Sequence, residues 1–125
     1  MIGRRVVVTG LSALTPLGND LESSWSALIS GESGIGPITR FDCTDYQTRI
    51  AGEVKDFDPS QYMSRKNQQR MDRFNIYAVA SSLMLLENAG LVINEDNGNE
   101  TGILLGCGLG GLETLEEFHT RLMNR

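Results

Sequence analysis

Residues 102–112 read GILLGCGLGGL, and the side chains best placed for chemistry in this chain lie there. Gly106, Gly108 and Gly111 spell G-x-G-x-x-G after an apolar run, the spacing that lets a pyrophosphate approach main chain at a helix N-terminus. That motif needs an acidic residue about 20 positions further on, and it normally opens its fold. Here it is followed by only 14 residues, so a free-standing dinucleotide-binding domain is a weak reading. Cys107, inside the same turn, is a second candidate, as a nucleophile. A reactive cysteine needs a base or a positive field to become thiolate. The single histidine, His119, sits on the helix that follows, about 18 Å from Cys107 by helical rise. No triad assembles, so Cys107 reads as a small thiol filling space after a strand. His119 reads as a solvated or half-buried side chain. The third reading is that the glycines let two stretches of main chain approach where a Cβ would clash.

The elements that must position this turn follow from local pattern. RRVVVTG, Arg4 to Gly10, reads as a strand buried on both faces. NDLESSWSALISG reads as an amphipathic helix with Asn19 as its cap, Glu22 at capping-box spacing, and Leu21, Trp25, Leu28 and Ile29 on one face. Gly31 ends it. Residues 33–58 read as mostly irregular, with one short strand within Thr48 to Val54. One long helix is expected from Ser64 to Ala89, capped by Ser64 and ended at Gly90, with Met71, Phe74, Ala78, Ser81 and Leu85 on its stripe. Its first turns, SRKNQQRMDR, are basic. Ile103 to Leu105 read as a second buried strand, and Leu112 to Met123 as a helix with Leu112, Leu115, Phe118 and Leu122 on one face. The alternation implies an α/β fold with a parallel sheet. Two strands are a thin core for three helices.

Composition narrows the function classes. A formal net charge of −5 makes duplex nucleic acid a poor partner. Two cysteines, Cys43 and Cys107, make no disulfide framework, and neither spacing nor histidines suggest zinc. Free thiols and a reducing, cytoplasmic compartment are expected. The opening apolar run is too short for a secretory core or a membrane span. No cofactor and no metal site is expected.

Five segments, in order, carry a family resemblance: RRVVVTGLSALTPLGND, SWSALISGESGIGPITRFD, IAGEVKDFDP, SRKNQQRMDRF and GILLGCGLGGLETLEE. Together they resemble the N-terminal third of the type II β-ketoacyl-acyl-carrier-protein synthases, the condensing enzymes of bacterial fatty-acid synthesis. The resemblance implies a thiolase-like fold, of which residues 1–125 would be the N-terminal part. It implies a decarboxylative Claisen condensation performed by a cysteine and two histidines, with backbone N–H groups stabilising the oxyanion. It also places those three residues downstream of residue 125. No catalytic residue is therefore assigned here, and the chain alone is expected to be inactive. Cys107 and Cys43 fall where the family usually has small hydroxyl residues.

The same resemblance implies two functional features. Leu109, with Gly108 beside it, matches the apolar residue of the glycine turn along the acyl-chain pocket; the alternative is that Leu109 only packs in the core. Arg65, Lys66 and Arg70 match a carrier-protein docking stretch, although Gln69 stands where a basic residue is common. The alternative there is an ordinary solvated helix face. Family members act on acyl and malonyl thioesters of the carrier protein, and the full-length enzymes are homodimers. A competing functional class is a non-catalytic synthase-like module that binds carrier protein or a full-length partner.

Overall fold

The computed structural model describes residues 3–125. Residues 1 and 2 of the expected unit lie outside the described residues. Four helices carry the architecture: α1 (Leu21–Ile29), α2 (Arg65–Gln68), α3 (Arg73–Asn88) and α4 (Leu112–Met123). The one sheet among the described residues joins β1 (Ile35–Pro37) and β2 (Ile50–Gly52) antiparallel, with Ile35 opposite Gly52 and Pro37 opposite Ile50.

The helix α1 forms where the pattern placed it, but its cap is Asp20, not Asn19. The Asp20 carboxylate accepts from the Ser23 backbone N–H at 2.7 Å, while the Asn19 amide donates to the Lys55 carbonyl at 2.9 Å. Its buried face also differs. Ser24 and Ala27 are buried, whereas Trp25, Leu28 and Ile29 are exposed. The small pair lets α1 lie close to the preceding loop, where the Ser24 hydroxyl bonds the Gly18 carbonyl and the Thr15 hydroxyl, each at 3.0 Å.

Hydrogen bonding of Asp20 to the Ser23 N–H, first of all, holds its carboxyl below the ordinary aspartate value of 3.8. A lowered folded pKa means that the cap stabilises above that value and is lost as pH falls through the folded one. Asp20→Ala is expected to cost about 1 kcal/mol, read as a lower urea midpoint at pH 7. The gap from wild type should close below pH 3.8, as the native carboxylate also becomes protonated.

The expected long helix is two helices. Ser64 does cap the first, accepting from the Asn67 N–H at 3.3 Å. The helix α2 ends at Gln68, turns follow, the backbone is extended at Asp72 (φ −66°, ψ 156°), and α3 starts at Arg73. Aspartate is a poor helix-interior residue, although the Asp72 side chain makes no cap hydrogen bond to α3. The buried centre of α3 is Ala80, while Phe74 and Leu85 of the expected stripe are part-exposed. Below α3, Phe57 packs edge-on to Tyr77 at 5.7 Å and stacks with Tyr62 at 5.9 Å. Arg40 bonds the Tyr77 hydroxyl at 2.9 Å and the Val54 carbonyl at 3.1 Å. These contacts tie the irregular 33–58 stretch to the helix.

Residues 4–10 and 103–105 do not form the expected strands, and no parallel sheet joins them. A strand exists only through a ladder with a neighbour, and neither segment is paired with one. Val6 is 89% and Leu104 98% exposed. Both segments nonetheless flank the same face of α3, around an apolar cleft of about 490 Å³ that includes Val8, Leu85, Leu91, Ile103 and Leu105. The Leu11 N–H donates to the Asn88 side chain at 2.9 Å, anchoring the first of them. The surface totals 10684 Å², against roughly 6,600 Å² for a compact monomer of this mass. Large apolar side chains are among those exposed, including Leu115, Phe118 and Leu122 of α4.

Candidate functional site

The glycine turn has two mechanically different halves. In the first, Cβ atoms built on Gly106 and Gly108 would meet nothing within 4 Å. Cys107 is an exposed free thiol, and Leu109 is 73% exposed. In the second, a Cβ on Gly110 would lie 2.8 Å from the Phe74 ring, and one on Gly111 2.9 Å from an Asp72 carboxylate oxygen. A side chain at either position would force those groups to shift, but what approaches is the Phe74 ring and the Asp72 carboxylate, not the second stretch of main chain that was expected. Gly111 also has φ +68° and precedes α4 as its cap residue, a backbone geometry open mainly to glycine. Because Gly111 has no side chain, α4 receives no side-chain cap.

The first residues of α3 grip the start of α4. The Thr114 hydroxyl donates to an Asp72 carboxylate oxygen. Arg73 and Glu113 pair at 3.7 Å, an exposed contact of little energetic weight. Beside this junction lies a polar cleft of about 520 Å³, edged by Arg40, Asp56, Asp72, Tyr77, Glu113 and Glu117. It holds neither a thiol nor a histidine. Among the described residues, no group of three or more His, Cys, Asp or Glu side chains converges as metal ligands.

The residues singled out from sequence fall in two places. Gly108 and Leu109 stand in the free half of the turn. Leu109 is not packed in a core here. Arg65 and Lys66 lie in α2 and Arg70 just after it, all three exposed. None is in an ion pair among the described residues, so their charges face solvent. The structure does not bring Arg65, Lys66 and Arg70 together with Leu109 in one pocket. What joins the two is Asp72, two positions after Arg70 and bonded to Thr114. Sequence reasoning missed Asp72 and Thr114. The legible signal was an aspartate in the middle of a helical pattern, a poor interior residue and a good helix starter. His119 is exposed on α4. No helix among the described residues is long and apolar enough to cross a membrane.

Comparison with known proteins agrees along the chain. The family profile "Beta-ketoacyl synthase, N-terminal domain" matches residues 3–124. The chain is 52% identical over 122 residues, 98% of its length, to the 3-oxoacyl-[acyl-carrier-protein] synthase 2 of Synechocystis sp.. It is 49% identical over all 125 residues to the protein of the same name from Vibrio cholerae. It spans about 30% of the length of these relatives. Among solved structures, "The ishigamide ketosynthase/chain length factor" superposes with a TM-score of 0.65 at 38% identity, over 71% of this chain and 22% of that one. The α/β architecture is thus part of a thiolase-like fold. With the profile matched from end to end of the described chain, this protein belongs to the β-ketoacyl synthase family.

Proposed function

We propose that this chain forms the N-terminal part of a 3-oxoacyl-acyl-carrier-protein synthase of fatty-acid biosynthesis. The observation that carries the reading is 52% identity across 98% of the chain to a relative of that name. In the reaction, a cysteine thiolate takes an acyl group from the carrier-protein thioester and releases the carrier thiol. Malonyl-carrier protein loses carbon dioxide. The resulting carbanion attacks the acyl-cysteine carbonyl carbon, forming a carbon–carbon bond and expelling the cysteine thiolate. The product is a 3-oxoacyl-carrier protein. The cysteine and both histidines of that chemistry belong to polypeptide beyond these 125 residues.

The part played by this chain is recognition. Arg65, Lys66 and Arg70 present three positive charges, in no ion pair among the described residues, for an acidic carrier protein. Leu109, with room at Gly108, stands along the acyl-chain pocket and limits the chain that enters. The uncovered apolar surface around residues 4–8, 103–105 and α4 fits a piece that packs against further polypeptide. A cytoplasmic location and a homodimeric full-length enzyme complete the proposal.

The test is a condensation assay with acyl- and malonyl-carrier protein. The full-length synthase is expected to release carbon dioxide and form the 3-oxoacyl product, and the isolated 125-residue chain to form none. Turnover by the isolated chain would overturn the assignment of catalysis to downstream residues. A full-length protein that bound carrier protein without turnover would make it a binding module instead.

A further inference from the structure

The side chain of Asp72 breaks a local rule. It stands at the cap position of α3, with the extended backbone of a cap, yet it makes no cap hydrogen bond to its own helix. Asp20, Asp58 and Ser64, at the starts of three other helical segments, accept from a backbone N–H two or three residues on, whereas Asn97, before the short Gly98–Glu100 turn, does not. The carboxylate of Asp72 is spent 42 residues away, accepting from the Thr114 hydroxyl, and its other oxygen lies against Gly111. Departures from local preference of this kind mark positions where tertiary or functional demands prevail.

We propose that Asp72 is a positioning residue for the glycine turn: through Thr114 and Gly111 it fixes the pivot from which Leu109 projects, and so sets the acyl-chain length that the pocket accepts. The specificity clause rests on the pocket reading of Leu109 given above; the pivot itself does not. Phe74 completes the clamp, its ring filling the space that a side chain on Gly110 would need. The grip stops at Gly110. Leu109, Gly108 and Cys107 are uncovered, so the position of Leu109 is decided by where its C-terminal neighbours are held. A site held by a supporting hydrogen bond loses geometry when that bond is removed, even though the site residue is untouched. Asp72 also follows the basic stretch by only two residues, which makes it the covalent neighbour of the proposed docking segment and the noncovalent neighbour of the turn.

The test uses the full-length synthase with Thr114→Val, Thr114→Ser, Asp72→Asn and Leu109→Phe. Thr114→Val removes the hydroxyl and frees Asp72 to cap α3, so folding is expected to survive. Asp72→Asn keeps an acceptor for Thr114. Two readouts are taken. One is the rate of Cys107 alkylation by iodoacetamide, followed on its own peptide by mass spectrometry. The other is the ratio of kcat/KM for a long and a short acyl-carrier substrate. Thr114→Val is expected to raise the Cys107 rate at least threefold and to change the ratio at least fivefold, with Thr114→Ser and Asp72→Asn within twofold of wild type in both. An unchanged Cys107 rate in Thr114→Val overturns the positioning role, whatever happens to turnover. Equal losses for both substrates overturn the specificity role. If Leu109→Phe also leaves the ratio unchanged while the Cys107 rate rises in Thr114→Val, Asp72 does position the turn and the failure lies in the pocket reading of Leu109.

Discussion

Reversing Arg65, Lys66 and Arg70 to glutamate together is expected to weaken binding of the acidic carrier protein about a hundredfold at low salt. The three side chains are exposed and form no ion pairs with their own chain among the described residues, so nothing in this structure competes with a partner for them. Exposed ion pairs contribute about 0.5 kcal/mol each. Three attractions lost and three repulsions created therefore amount to about 3 kcal/mol, or roughly two powers of ten in affinity. The loss should fall mainly on the association rate, because long-range attraction steers encounter. It should also shrink as salt is raised, since the Debye length falls to about 3 Å at 1 M. Titration calorimetry or surface plasmon resonance at two ionic strengths measures both. Equal affinity of variant and wild type at low salt would leave α2 as a solvated face with no docking role.

Leu109→Phe in the full-length synthase is expected to lower kcat/KM for the longest acyl substrates by about tenfold to a hundredfold, with short ones little changed. Leu109 stands on a free half-turn, so the larger ring does not have to overpack a core and fold stability should hold. Phe carries three more side-chain carbons than Leu, so the wall it makes excludes a chain that once fitted at a cost of at least the roughly 1–3 kcal/mol of one misfitted methylene. The selective loss is the informative result: a general folding defect lowers turnover on all lengths alike. A profile across acyl lengths that stays parallel to wild type would remove Leu109 from the pocket.

What could be read from sequence was what depends on neighbours along the chain. The start and end of α4, the span of α1 and the stop at Gly31 follow from side-chain period, cap residues and a glycine at φ +72°. The short strand expected within Thr48 to Val54 appears as Ile50–Gly52. The cap of α1 was misplaced by one residue because Asn19 and Asp20 are both good caps, and only the reach of Asn19 to Lys55 decides between them. In the same way, the family resemblance was legible because five segments keep their order and spacing. The basic stretch and the glycine turn were visible as residue types, without any measure of how they are held.

The sequence by itself therefore determined α1, α4 and the family. Each of these is encoded in local propensity or in a contiguous motif, which survives without knowledge of what lies across the fold. Only the tertiary structure decided which halves of the glycine turn are gripped and free, that α2 and α3 are separate, and that Asp72 turns from its own helix to Thr114. It also decided that residues 8–10 and 103–105 flank α3 without a ladder. The physical reason is shared. A strand, a clamp and a diverted carboxylate are properties of pairs of distant residues, and their energies arise only where the chain brings the second member within hydrogen-bonding or van der Waals range.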